Sequence, residues 1–215
     1  TAYEIKECDW SSDVCSSDLS LRLKLRRALA FARDRLDFIL VMHVCLVTEE
    51  YAGLNASATT GSTFRGLAEL MVGLGHRVDV LITDLACSGD RFGKPASGPD
   101  SPRFLFLADL AAADPDIFFP VGDAAKAYAV YRRLKVADYD CVHFAERMAC
   151  GYYAAAARRQ GGLRAKVITH LTVGSEWART LEMSTPELAD FEREALERAQ
   201  IENSDIDRKS TRLNS

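Results

Sequence analysis

Three consecutive stretches decide the fold: Met42-His-Val-Cys-Leu-Val-Thr48, Phe64-Arg-Gly-Leu-Ala-Glu-Leu-Met-Val-Gly-Leu-Gly75 and Arg77-Val-Asp-Val-Leu-Ile-Thr83. The outer two are short β-branched and aliphatic runs of the kind that form strands buried on both faces. The middle one spaces Leu67, Leu70, Met71 and Leu74 on one face of a helix, and Gly75 is a stop signal. Together they predict a βαβ unit.

Outward from that unit the alternation continues. Cys87 to Pro102 is rich in Gly, Pro, Ser and Asp and reads as a loop, followed by short apolar pieces at Arg103–Leu107 and Ile117–Val121. Asp123 to Ala137 has helical spacing of Tyr128, Tyr131 and Leu134, with Asp123 placed to cap its first turn. Tyr139 to Phe144 and Lys166 to Leu171 read as strands, separated by an Ala-rich helix, Gly151 to Gln160, that Gly161-Gly162 terminates. A last helix opens at Thr185-Pro-Glu-Leu, with Thr185 as cap and Pro186 in the first helical position, and runs to about Asn203. Strands alternating with helices imply an α/β fold with a doubly wound, Rossmann-like parallel sheet. Ligands are then expected beyond the carboxyl ends of the strands.

The two ends differ in character from this core. Residues 1–19, above all Asp9-Trp-Ser-Ser-Asp-Val-Cys-Ser-Ser-Asp-Leu19, and residues 207–215 resemble translated sequencing-library adapter, so both are set aside from fold reasoning. Residues 20–41 form an Arg-rich amphipathic stretch, either an upstream helix or a non-native leader. The domain proper is expected over 42–206, truncated at its end. The chain's formal charge of −4 is small and its signs are interspersed, which argues against a nucleic-acid footprint. Four cysteines of the core (Cys45, Cys87, Cys141 and Cys150) show no CxxC pair and read as reduced, buried thiols of a cytoplasmic protein. No run is apolar enough for a membrane span.

Three segments carry candidate chemistry. The loop Glu49 to Thr63 (EEYAGLNASATTGST) has small and hydroxyl residues that allow close approach of a ligand and leads to a helix N-terminus. It lacks both GxGxxG and GxxxxGK[ST], although Asp84 stands at the end of the second strand. Glu146 follows the strand Cys141-Val-His-Phe-Ala, where a carboxylate can bind hydroxyls or simply be solvated; His143 inside that strand reads as a core or interface histidine. His170 ends the next strand, where an imidazole can serve as acid, base or hydrogen-bond partner, and Ser175-Glu-Trp177 follows. The acidic helix from Glu187 to Glu202 has no histidines at metal spacing and reads as a solvated face.

These segments, MHVCLVTEEYAGL and GLAELMVGLGHRVDVL, then YDCVHFAER and GYYAAAARRQG, then VITHLTVGSEWA and FEREALERAQIENSD, resemble the N-terminal domain of GT-B glycosyltransferases of family 4, the glycogen and sucrose synthase group. The resemblance implies the acceptor-side half of an enzyme that transfers a sugar from a nucleotide-sugar donor, a co-substrate, to a glycan or small acceptor. It implies no other cofactor and no metal, and a second domain that binds the donor; the fragment alone would be inactive. It places His170 as a catalytic cleft residue, with Leu171 where the family has Gly or Asp. Gly61, Glu146, Ser175 and Trp177 become substrate-binding, Gly61 being what remains of a Gly-Gly-x-Gly run in Ala58-Thr-Thr-Gly61. The alternatives are a non-catalytic flavodoxin-like binding module and another GT-B-shaped nucleotide-sugar enzyme such as an epimerase.

Overall fold

Five parallel strands form one sheet in the order β3-β2-β1-β4-β5: β1 (His43–Thr48), β2 (Arg77–Ile82), β3 (Arg103–Phe106), β4 (Cys141–Ala145) and β5 (Lys166–His170). The computed structural model describes residues 41–54, 59–92, 98, 100–113, 122–171 and 174–205. Residues 1–40 and 206–215, and the stretch Ile117–Val121 expected as a strand, lie outside the described residues.

Alternation along each strand sorts the core into two layers. Val44, Leu46, Val78, Val80 and Ile82 face helix α1 (Thr59–Gly73), whose Phe64 and Ala68 are fully buried against them. Cys45, Val47, Leu81, Val142, Phe144 and Val167 face the other way. There they meet α4 (Asp123–Lys135), through Val130 and Leu134, and α5 (Tyr152–Arg159), through Ala154 and Ala155. Two short helices, α2 (Gly89–Phe92) and α3 (Leu107–Ala113), flank β3, followed later by α6 (Ser175–Glu182) and α7 (Leu188–Asn203). This is the expected doubly wound α/β architecture. Among the described residues no helix is long and apolar enough to cross a membrane.

The sheet is anchored at its amino edge by one buried carboxylate. Asp79 accepts hydrogen bonds from Arg103 Nε at 2.9 Å and Nη2 at 2.5 Å, and from the Tyr139 hydroxyl at 2.7 Å, while His43 Nε2 lies 3.1 Å away. A buried charge persists only when saturated in this way.

Several local expectations are corrected. The face expected for α1 holds in part: Leu67 and Met71 pack against the core beside the fully buried Phe64 and Ala68, whereas Leu70 is 38% exposed. Asp123 does not cap α4: Gly122 occupies that position without a side-chain bond, and the Asp123 carboxylate instead takes Arg193 Nε at 2.6 Å. Helix α7 starts three residues later than Thr185, with Glu187 as cap in a reciprocal box with Asp190. The strand expected from Tyr139 begins at Cys141, and the loop from Cys87 contains the single turn α2.

Candidate functional site

The strand order reverses between β1 and β4, so the crevice favoured for ligands lies at their carboxyl ends. After β4 the chain makes a tight turn, a 3-10 segment at Arg147–Ala149, in which Met148 (φ 68°) and Ala149 (φ 49°) are both left-handed. Two adjacent non-glycine residues in that region are unfavourable on their own and need outside support.

Helix α7 supplies it. Gln200, fully buried, accepts the Gly151 N–H at 2.8 Å and donates to the Ala145 carbonyl at 3.0 Å and Thr169 Oγ1 at 3.2 Å. One turn earlier Glu197, 5% exposed, accepts the Met148 N–H at 2.9 Å, and also the Ser175 N–H at 2.9 Å and hydroxyl at 2.5 Å. Ser175 is the first residue of α6, so α7 ties the turn after β4 to the start of α6. The Arg179–Glu194 ion pair adds a second tie between α6 and α7.

Between α6 and α7 opens a cavity of about 540 Å³, with Glu146, Gly174, Trp177, Glu197, Arg198 and Ile201 among its lining residues. Glu146 is buried and Trp177 is 61% exposed. A Cβ at Gly174 would make a tight 3.3 Å approach to Glu146 Oε1 and an ordinary 3.5 Å contact with Glu197 Oε2, which places this residue directly against both carboxylates. A carboxylate beside an exposed indole offers hydrogen-bond acceptors and an apolar plane together, the combination that a polyhydroxylated ring presents in complement.

Three of the five residues singled out in the sequence therefore converge. Glu146 and Trp177 line the cavity and Ser175 is bonded to its wall. His170 does not point there: its carbonyl accepts the Glu146 N–H at 3.1 Å, but its imidazole lies on the α1 side, 5.6 Å from the Phe64 ring. Its Nε2 is 2.8 Å from His143 Nδ1. Burial pulls both imidazoles down, His143 to about 4, helped by its neighbour, so the pair is neutral near pH 7. Gly61 is buried in the first turn of α1, where a Cβ would lie 3.0 Å from Ala52 N, so packing of the loop against the helix accounts for it.

Cys45, Cys87, Cys141 and Cys150 are free and buried, as expected. Burial pushes Cys141 and Cys150 up to about 11, which keeps them as thiols rather than nucleophilic thiolates. Among the described residues no group of His, Cys, Asp and Glu has metal-binding geometry. The reading of the acidic helix as a solvated face is corrected: Glu197 and Gln200 are buried, while Leu188 (86%) and Phe191 (55%) are exposed. These two polar residues, with Gly174 and Arg198, went unnoticed in the sequence. Their only signal was their separation by one helical turn, which acquires meaning once Ser204, a further turn on and also buried, is seen to share their face. Comparison of the chain with protein families, with curated proteins and with solved structures found no match.

Proposed function

We propose that this domain is the acceptor-side half of a GT-B glycosyltransferase that uses a nucleotide-sugar donor, and that the cavity between α6 and α7 is where it holds a sugar. The observation that carries the reading is the convergence of Glu146 and Trp177 on one cavity at the carboxyl edge of a parallel sheet. In this arrangement Trp177 covers one face of the sugar ring and Glu146 accepts from its hydroxyls. Such contacts hold an acceptor oxygen in position, which is the main contribution an acceptor half makes to transfer. The donor, its diphosphate and the groups that stabilise the departing charge belong to a second domain in this reading.

The test is saturation-transfer NMR on the full chain with glucose, galactose, mannose, maltose and sucrose, and separately with UDP and GDP. Ligands gain about 0.3 kcal/mol per heavy atom when drug-sized and more when smaller, which puts a simple sugar in the millimolar range. At least one sugar should receive magnetisation, and Trp177→Ala should abolish it. Tight nucleotide binding with no sugar signal would overturn the proposal in favour of a nucleotide-binding module.

A further inference from the structure

Three donors converge on the Glu197 carboxylate, the Met148 and Ser175 amides at 2.9 Å each and the Ser175 hydroxyl at 2.5 Å. Both amides have special backbone settings. Met148 sits at φ 68°, which turns its N–H out of the local chain, and Ser175 opens α6, where the first N–H groups have no partner within the helix. Amides beside a left-handed residue and at a helix start are the usual elements of anion cradles. Here the anion is the protein's own, delivered from α7 and 5% exposed.

We infer that Glu197 determines the charge of the ligand this cavity accepts. It fills with an internal carboxylate the place where a phosphate or carboxylate would otherwise bind, so the cavity takes neutral sugar hydroxyls and rejects phosphorylated or acidic sugars. The specificity claim rests on the proposed sugar site; the occupied cradle does not. With these donors consumed, a ligand meets Glu146 and Glu176 along the wall, and Arg198 is the single cation among the described lining residues. Arg198 is exposed, whereas Glu146 is buried, so a ligand anion reaching inward loses water and gains repulsion. Each such contact weakens binding by more than about 10-fold.

Emptying the cradle tests this. Thermal unfolding of the full chain and of Glu197→Ala is followed in sodium chloride, sodium phosphate and sodium acetate at matched ionic strength. The wild type should gain from phosphate or acetate no more than the small non-specific stabilisation that excluded salts give any fold. The variant should unfold at lower temperature in chloride and recover by about 3 °C or more in phosphate or acetate at ten times their Kd. A variant that folds only when phosphate or acetate is present gives the same support. Equal stabilisation of wild type and variant, or a variant that neither anion rescues, overturns the role given to Glu197. Because these salts contain no sugar, anion rescue combined with a silent saturation-transfer experiment would overturn the sugar reading alone.

Discussion

At Gly151 the side chain is excluded by space rather than by backbone angle. Its φ of −91° suits any residue, yet a Cβ would lie 2.7 Å from Phe144 Cγ and 2.9 Å from Gln200 Cδ, both fully buried. Neither neighbour can retreat: Phe144 is in the central layer and Gln200 holds the Gly151 N–H and the Ala145 carbonyl. Gly151→Ala should therefore cost roughly 2–3 kcal/mol, the usual penalty for overpacking a filled core. Gly66, inside α1, is the internal control. A Cβ there meets nothing within 4 Å, so Gly66→Ala should gain about 0.5–1 kcal/mol from helix propensity and reduced unfolded-state freedom. Urea midpoints of the two variants should move in opposite directions; a shift of the same sign in both would show that the packing around Gly151 is looser than described.

Helix ends show how far local chemistry is legible in the sequence. Gly75 and Gly161 were readable as stops, and both sit in left-handed conformation in paired closing bonds: His76 N–H to Met71 O with Gly75 N–H to Val72 O, and Gly162 N–H to Ala157 O with Gly161 N–H to Arg158 O. Helix α6 closes in the same pattern, Ser184 to Arg179 and Met183 to Thr180, but with Met183 at φ 51°, so no glycine marked it and it went unread. Met183 is 91% exposed and contributes no packing that a substitution would lose. Met183→Gly should raise stability by about 0.5–1 kcal/mol by relieving the left-handed Cβ contact, measured as an increased urea midpoint with unchanged slope. Starts were harder to read than stops. Asp123 and Thr185 each had the right chemistry for a cap, but Asp123 found Arg193, seventy residues away, and the box of Glu187 with Asp190 set the start of α7. The site divided in the same way. Glu146 could be found because it follows directly on a strand, and Trp177 through the resemblance alone, whereas Glu197 and Gln200 depend on which face α7 turns inward, a long-range outcome that periodicity does not encode.

On the scale of the whole molecule, the sheet carries buried titratable groups at opposite ends, and both make folding sensitive to acid in the same direction. Toward the carboxyl edge His143 is 6% exposed and held to His170 through a single 2.8 Å contact that a neutral pair can share one proton across. Burial and its neighbour pull His143 from 6.5 to about 4. The unfolded chain binds that proton first, so the contribution is fully present above about pH 6.5 and is lost as pH falls through 4. A shift of this size corresponds to about 3 kcal/mol. At the amino edge burial by itself would raise Asp79, but the hydrogen bonds from Arg103 and Tyr139, the Arg103 charge and the His43 contact outweigh it and hold the carboxyl below its usual range. Its contribution is present above the ordinary aspartate range and disappears only at still lower pH. Urea unfolding at a series of pH values from 7 to 3 should thus show stability falling first between about 6.5 and 4, and again below that range as Asp79 protonates. His143→Leu, in which Leu suits the apolar layer and does not titrate, should shrink the first fall to the part that buried His170 contributes and leave the second unchanged. A wild-type stability that stays level from pH 7 to 4.5 would mean that His143 is not held neutral by burial, and the histidine pair would then have to be rebuilt with a charge that the surrounding apolar layer gives no means to accommodate.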